Sequence, residues 1–415
     1  MAVKKVIVAH PGKQHVFQLL ESLEKVGILF KFITTVYDKN ESITNRVKKF
    51  LKGKNLKKAV SRKSSVLKDD KVILFNEAQG LFLILLGRIG AGKKITNFFY
   101  QHIHRSFAKK VAKYAIKHNV DAVVLFDSNV YECFKKIKSV NRNVICILDV
   151  TIASRSFMKN IYEKDIAFTN DRALYREQIH LWDDMKMKGY VREFVEADYL
   201  LVGSEFVKKS IIPITGNDRK VIKVPYGVDI SHFNLTKKNY LNGPLKLFFV
   251  GGINRRKGVH HLLQVVSQYS KEEVVLSLAG SYDSSSDLYK NYNDIENIIF
   301  EGFVTRDVVA RKYVESHIFV LPSLAEGLAL VGLEALASGL PVLCTQNTGV
   351  NDLIVNGENG FVIPASDPHA LKEKLDWFLL NRNSIEAMGV AARESIKDYS
   401  WDNYHIQINK FFNQL

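Results

Sequence analysis

Short apolar runs alternate with longer amphipathic stretches along the whole 415-residue chain. In the first half, Val3–Ala9, Lys71–Phe75, Ala122–Phe126, Val144–Leu148 and Tyr199–Val202 read as strands. They are separated by helix-length segments at His15–Val26, Phe107–His118 and Tyr190–Ala197. A polar stretch then follows VPYGVD (Val224–Asp229) and ends in Asn242-Gly243-Pro244, where Gly and Pro break regular structure. A second series begins beyond it, with strands at Lys246–Val250, Val274–Ala279, Ile298–Phe300, Ile318–Leu321, Pro341–Cys344 and Gly360–Val362. Its helices fall near Val259–Tyr269, Arg306–Glu315, Leu328–Ser338 and His369–Asn381. This alternation predicts an α/β fold of two facing, Rossmann-like, doubly wound parallel-sheet domains. The expected boundaries are 1–225 for the first domain, 226–243 for a linker and 244–395 for the second domain. Residues 396–415, ending YSWDNYHIQINKFFNQL, are expected to form a helix that returns to the first domain, anchored by Trp401, Tyr404, Ile406, Phe411 and Phe412.

Ligands of such sheets bind beyond the carboxyl ends of the strands, at the switch in strand order, so two facing sheets place a shared site in the cleft. Within the second domain, PSLAEGLALVGLEALASGLPVL (Pro322–Leu343) carries Glu326 in a loop and Glu334 eight residues later, among apolar neighbours. An unpaired carboxylate there would cost several kcal/mol, so Glu334 needs a partner. At the head of the same helix, the free amides of Leu328, Ala329, Leu330 and Val331 favour a phosphate, and Gly327 permits close approach. FFVGGINRRKGVHHLL supplies the complementary cations: a Gly251-Gly252 turn followed by Arg255, Arg256 and Lys257 at a helix start. Neither G-x-G-x-x-G nor G-x4-G-K-[ST] occurs, which disfavours a dinucleotide dehydrogenase and a P-loop NTPase.

These motifs resemble, in order, those of the retaining GT-B glycosyltransferases of the group 1 type, family GT4. VPYGVDISHF is similar to the family's I-P-N-G-V-D-x3-F, and GGINRRKGVHHLL to its G-R-L-x3-K-G-x3-L turn. SLAGSYD, with Gly280, is similar to L-x-G-x-G, and IIFEGFVTRD to V-x-F-x-G-x-V. The E-x7-E block continues into TGVNDLIVNGENGFVIPASD. The likeness is strong over about residues 190–395 and covers the first half only in outline. It implies a retaining transfer of sugar, expected from a UDP- or GDP-sugar with no cofactor; since no D-x-D sequence occurs and Lys257, Arg256 and a helix N-terminus are available, no catalytic metal is expected. By the same likeness Glu326 would hold the transferred sugar, Glu334 the ribose hydroxyls and Lys257 the diphosphate. Gly302 and Val304 would lie beside the base, and the amides near Ala329 and Leu330 would face sugar and phosphates. Gly252 stands where the family has Arg, so the second cation is assigned to Arg256 with Arg255 in reserve. Ala329 replaces a common glycine. Cations and amides preorganised at the leaving diphosphate would lower the barrier electrostatically.

On the acceptor side, His10, Gly12, Lys13 and His15 occupy the first β-loop-α turn. Asp149 stands where many relatives carry a histidine, and either orients the acceptor hydroxyl or bonds the sheet end. Charge adds a partner. Residues 1–230 hold 42 Lys and Arg against 23 Asp and Glu, and residues 231–415 hold 17 against 20. Ten of those cations fall in residues 43–68 with no acidic residue, interleaved with Ile43, Val47, Phe50, Leu51, Leu56, Val60, Val66 and Leu67. This predicts a basic amphipathic element on an anionic membrane, where a glycan or lipid-linked acceptor is held, or else a solvated loop. No nucleic-acid recognition motif accompanies the charge. Three distant cysteines and the lack of a leader-like start or a long apolar run predict a cytoplasmic protein, peripheral on the inner face of the inner membrane. The expected role is assembly of surface polysaccharide or lipopolysaccharide. The rival readings are a sugar-nucleotide epimerase, a glycan phosphorylase, or a non-catalytic GT-B subunit.

Overall fold

The computed structural model describes residues 3–12, 15–89, 92–127, 130–233 and 240–415. Seven strands form the first sheet: β1 (Val6–Ala9), β2 (Leu29–Thr34), β3 (Val72–Leu74), β4 (Ala122–Phe126), β5 (Ile145–Val150), β6 (Tyr199–Val202) and β7 (Val221–Lys223). Their order is β3-β2-β1-β4-β5-β6-β7, all parallel. β1, β4 and most of β5 are buried along their length, because helices cover both faces of a parallel sheet. β2, whose apolar run is broken by Lys31, and the three-residue β7 are strands that the apolar pattern did not predict. The helix expected at Phe107–His118 begins much earlier and runs Lys93–Lys117, since its first half lacks a clean apolar stripe.

The second sheet holds six parallel strands in the order β10-β9-β8-β11-β12-β13. They are β8 (Leu245–Val250), β9 (Val274–Ala279), β10 (Ile298–Gly302), β11 (Ile318–Leu321), β12 (Val342–Thr345) and β13 (Gly360–Ile363). Each sheet reverses its order once, at β1/β4 and at β8/β11. The loops that leave those four strands carry the site described below.

Two chain segments join the domains. The first leaves β7 and reaches β8, and the second runs back from the helix Ile385–Ser395. They cross side by side, with the Val228 amide donating to the Tyr399 carbonyl at 2.8 Å. The terminal helix Trp401–Asn413 then packs on the helix Val16–Lys25, where the Ser22 hydroxyl donates to Asn409 Oδ1 at 2.8 Å. Tyr404, Phe411 and Phe412 are buried there as expected, but Ile406 is 64% exposed and Ile408 takes its place in the seam. A small interdomain core adds to this, in which Ala153, Met158, Tyr162, Leu174, Leu181 and Phe206 of the first domain meet Leu324 and Ala325 of the second. Among the described residues no helix is long and apolar enough to cross a membrane, and the three cysteines are buried and unpaired.

Candidate functional site

Glu326 lies in the loop after β11 and is buried, yet it is not alone. Its Oε1 is 2.7 Å from Lys257 Nζ and 3.0 Å from Arg256 Nη1. Burial pushes the carboxyl upward, but the two cations outweigh it and hold Glu326 below its usual range, ionised. The cations arrive through a tight turn after β8. Asn254 accepts from the Lys257 amide at 3.2 Å, and Gly258 follows at φ +67°. A Cβ on Gly258 would sit 1.8 Å from the Pro322 carbonyl oxygen, so only glycine lets this turn lie against the loop that carries Glu326. Arg256 also donates to the Ala325 carbonyl at 2.9 Å, which fixes its fork.

The helix Leu330–Ala337 starts beside this cluster. Its first-turn amides, Leu330 and Val331, precede the helical ladder and form its positive end. The Ala329 amide, expected to face the donor, instead donates to the Thr348 carbonyl at 3.2 Å. Glu334 has the partners that its apolar setting demands: the Tyr313 hydroxyl at 3.4 Å from Oε2 and the Arg306 guanidinium at 3.7 Å from Oε1. Burial still dominates and raises its pKa.

Arg255 is no reserve cation, because its guanidinium is spent on Asp171, Glu177 and Asp287, with Nε 2.8 Å from Asp171 and Nη1 3.1 Å from Glu177. It ties the second domain to the segment after β5. Gly327 lines the cavity, and backbone approach between the domains also calls for glycine there, since a Cβ would lie 1.9 Å from the Thr151 carbonyl oxygen. Gly251, Gly280 and Gly302 cluster at the ends of β8, β9 and β10, where the Gly251 amide donates to Ala279 and the Gly280 amide to Gly302. With Gly252, Lys257, Val304, Val331 and Glu334, they lie outside the lining of the main cleft cavity, whereas Arg256, Glu326, Gly327, Leu328 and Leu330 line it.

That cavity, about 690 Å³, lies between the domains and takes most of its wall from the first. His10, Gly12 and His15 line it; Lys13 falls outside the described residues. His10 Nδ1 accepts from the Gly12 amide at 2.8 Å, and burial lowers the pKa of the ring, so the neutral imidazole carries its proton on Nε2. His15 packs against Tyr226 at 4.1 Å between ring centroids, and its Nε2 is 2.8 Å from Asp149 Oδ2. Asp149 itself borders a separate small void with Tyr226 and Tyr404 rather than the cavity. Asp149 thus holds the His15 ring and does not line the cavity. Besides Glu326, the carboxylate that lines the cavity, on its first-domain wall, is Asp127, which sequence reasoning missed. It follows β4, accepts from the Thr151 hydroxyl at 2.7 Å, and pairs with Arg155 at 3.3 Å. The available signal was a lone acid at the carboxyl end of an apolar strand, VVLFD.

The basic segment 43–68 folds into two short helices, Ile43–Lys48 and Gly53–Val60, which pack on each other, the first also on the helix Glu77–Arg88, rather than trailing as a loop. Thr44 donates to Glu77 and Lys48 pairs with Asp38. Leu67 is buried, while Ile43, Val47, Phe50, Leu56, Val60 and Val66 stay exposed, Phe50 at 85%.

Residues 233–395 match the family described as glycosyl transferases group 1. Over 219 residues the chain is 30% identical to the sulfoquinovosyl transferase SQD2 of Arabidopsis thaliana, covering 49% of this chain and 42% of that protein. It is 25% identical over 245 residues to the capsular polysaccharide biosynthesis glycosyltransferase CapM of Staphylococcus aureus, covering 53% and 63%. The chain thus spans about half the length of these relatives. Among solved structures, Anabaena HepE in complex with UDP and glucose superposes with a TM-score of 0.62 at 14% identity, covering 99% of this chain and 100% of that one. The second domain is thus similar to the group 1 glycosyltransferases, and the two parallel sheets have the GT-B fold.

Proposed function

We propose that this protein transfers a sugar from a UDP- or GDP-sugar to a glycan or glycolipid acceptor with retention of anomeric configuration, in the assembly of a surface polysaccharide or lipopolysaccharide. The observation that carries the reading is the Glu326 carboxylate, ionised and shared by Arg256 and Lys257 beside the start of the helix Leu330–Ala337. When a nucleoside diphosphate enters, its phosphates compete for those cations and for the Leu330 and Val331 amides. The released Glu326 oxygens then accept hydrogen bonds from the sugar hydroxyls. As the anomeric C–O bond breaks, negative charge grows on the leaving diphosphate, where two fixed cations and a helix N-terminus are already in place. This set supplies the charge stabilisation without a metal ion, so activity is expected to survive chelation by EDTA. Glu334 lies about one helical turn along the same helix and is assigned to the ribose. CapM's role in capsule synthesis and the UDP and glucose held by HepE support the pathway and the donor class.

The test is thermal stability with UDP, GDP, ADP and their sugar conjugates. One nucleotide at about 100 times its dissociation constant should add about 2.7 kcal/mol, and Glu334→Ala should abolish the gain. No gain with any nucleotide, in a folded sample, would refute the reading. The exposed apolar residues among the lysines of 43–68 further support a peripheral position on an anionic cytoplasmic leaflet. Co-sedimentation with vesicles containing anionic lipid should fall as salt rises, and absence of binding at low salt would remove that part of the proposal.

A further inference from the structure

The cations that line the cleft cavity differ in one respect. Arg155 is paired with Asp127 and Arg256 with Glu326, whereas no carboxylate among the described residues lies within ion-pairing distance of Arg62. Arg62 is also partly buried. Its nearest charged influence is another cation, Arg88, and burial first, then this repulsion, depresses its pKa without discharging a guanidinium. The side chain is not a straggler on a loose loop. The Arg62 amide donates to the Ala59 carbonyl at 3.1 Å, and its own carbonyl accepts from Asp38 at 3.4 Å. Two residues on, the Ser64 amide donates to the buried Tyr37 hydroxyl at 2.9 Å. A well-anchored turn therefore holds an uncompensated positive charge at the wall of a substrate-sized cavity, an arrangement that costs stability unless a ligand anion relieves it.

The wall beside it is apolar. Leu83 and Ile84, on the helix Glu77–Arg88, and Ile103, on the helix Lys93–Lys117, also line the cavity. The same two helices expose Phe82, Leu85 and Phe98, with Ile89 just past the end of the first, and the basic helix Ile43–Lys48 packs against that first helix. Apolar surface thus runs from the cavity to the outside of the domain, with one unpaired guanidinium beside its inner part.

We propose that the acceptor is an amphiphile whose oxyanion, the phosphate or diphosphate of a lipid carrier, pairs with Arg62, while its apolar chain lies along Leu83 and Ile84. The assignment rests on the transferase reading for its meaning, but the binding site can be tested without it. The probe is farnesyl diphosphate, compared with farnesol and inorganic diphosphate, with binding to the full chain measured by calorimetry. Farnesyl diphosphate should bind more tightly than either of the other two. Arg62→Ala and Arg62→Gln should each weaken it at least about tenfold, as loss of a charge-assisted hydrogen bond implies. Arg62→Lys should weaken it less, and Arg219→Ala, a distant exposed control, should leave it unchanged.

Equal binding by Arg62→Ala and the native chain would overturn the proposal. Farnesol binding as tightly as farnesyl diphosphate would do the same, since the anion would then contribute nothing. Inorganic diphosphate as the equal of the lipid would remove the carrier and leave a free phosphate as the source. Loss of the probe in Lys257→Met but not in Arg62→Ala would place it on the donor cations instead. A failure of every nucleotide to stabilise the chain would sink the transferase reading while leaving these binding results intact, so the two failures are distinguishable.

Discussion

Replacing Glu326 by Gln separates charge from shape at the centre of the cleft. In the native chain one carboxylate oxygen lies 2.7 Å from Lys257 and 3.0 Å from Arg256, with side-chain exposures of 10%, 13% and 23% for the acid, the lysine and the arginine. Removing the only anion among three largely buried charges leaves two cations facing each other. Such an uncompensated buried charge costs about 3 kcal/mol, at the lower end of the usual range because Gln keeps an acceptor and the arginine is partly wet. Because the Glu326 pKa is depressed, its stabilisation is fully present above the reference value of 4.5 and is lost as pH falls through the lower folded value. The stability gap between native and variant, measured by urea unfolding, should therefore be largest near pH 7 and shrink toward pH 3. Calorimetric titration with UDP should show binding by the variant at least as tight as by the native chain, since the diphosphate now satisfies cations that lack a partner. Turnover should drop about 10²- to 10³-fold, the scale on which one preorganised polar contact to a transition state counts. A gap that stays constant between pH 7 and pH 3, or UDP binding that falls in step with turnover, would refute this account of Glu326.

Gly327→Ala should separate the domains without touching the cations. With a Cβ 1.9 Å from the Thr151 carbonyl oxygen, closure becomes strained, so kcat should fall more than about tenfold while UDP binding stays within about threefold; unchanged kcat would show that this approach is not needed. Arg255→Ala strips the neutralising charge from Asp171, Glu177 and Asp287 and should cost about 2 kcal/mol in stability, less than for a fully buried pair because Asp171 and Asp287 are 36% and 54% exposed. The KM for donor should not move, and a large rise would return Arg255 to the diphosphate.

What could be read from the sequence was what lies close together along the chain. Glu326, Glu334 and the Arg256-Lys257 pair sit in two contiguous turn-and-helix motifs, where local backbone chemistry alone places an acid near amides and cations near a glycine. Arg255 shows the limit of that reading. It is adjacent to Arg256, yet its direction is set by Asp171, Glu177 and Asp287, residues between 32 and 84 positions away that no local pattern connects to it. Asp127 was missed, while Asp149 was singled out, for a similar reason. Both end apolar strands, and only the neighbouring order of β4 and β5, with His15 leaning across from β1, decides which acid meets the cavity. β2 was missed because Lys31 interrupts its run; the lysine reaches out of the sheet to the Asp70 carbonyl while its backbone keeps the ladder.

The Glu326 loop is held from both sides of the cleft, which links the chemistry to domain closure. From the second domain, the Asn347 carbonyl accepts from the Glu326 amide at 2.9 Å, and Arg256 grips the carboxylate. From the first domain, the Ala153 amide donates to the Glu326 carbonyl at 3.3 Å, and the Ser204 hydroxyl donates to the Gly327 carbonyl at 2.7 Å. Opening the cleft must break the second pair of bonds, each worth about 1 kcal/mol net and more if a buried group is left unpaired. It must also uncover Leu324 and Ala325, which pack against Met158 and Tyr162. Donor access and the placement of Glu326 are therefore not independent. A wider cleft releases the loop that would hold the sugar, and a bound sugar that fixes the loop favours the closed arrangement. The oxyanion side behaves differently, because Arg62, Leu83 and Ile84 all belong to the first domain and keep their relative positions whether the cleft is open or shut. An acceptor can thus be held before closure, and closure then brings Glu326 and its cations to it.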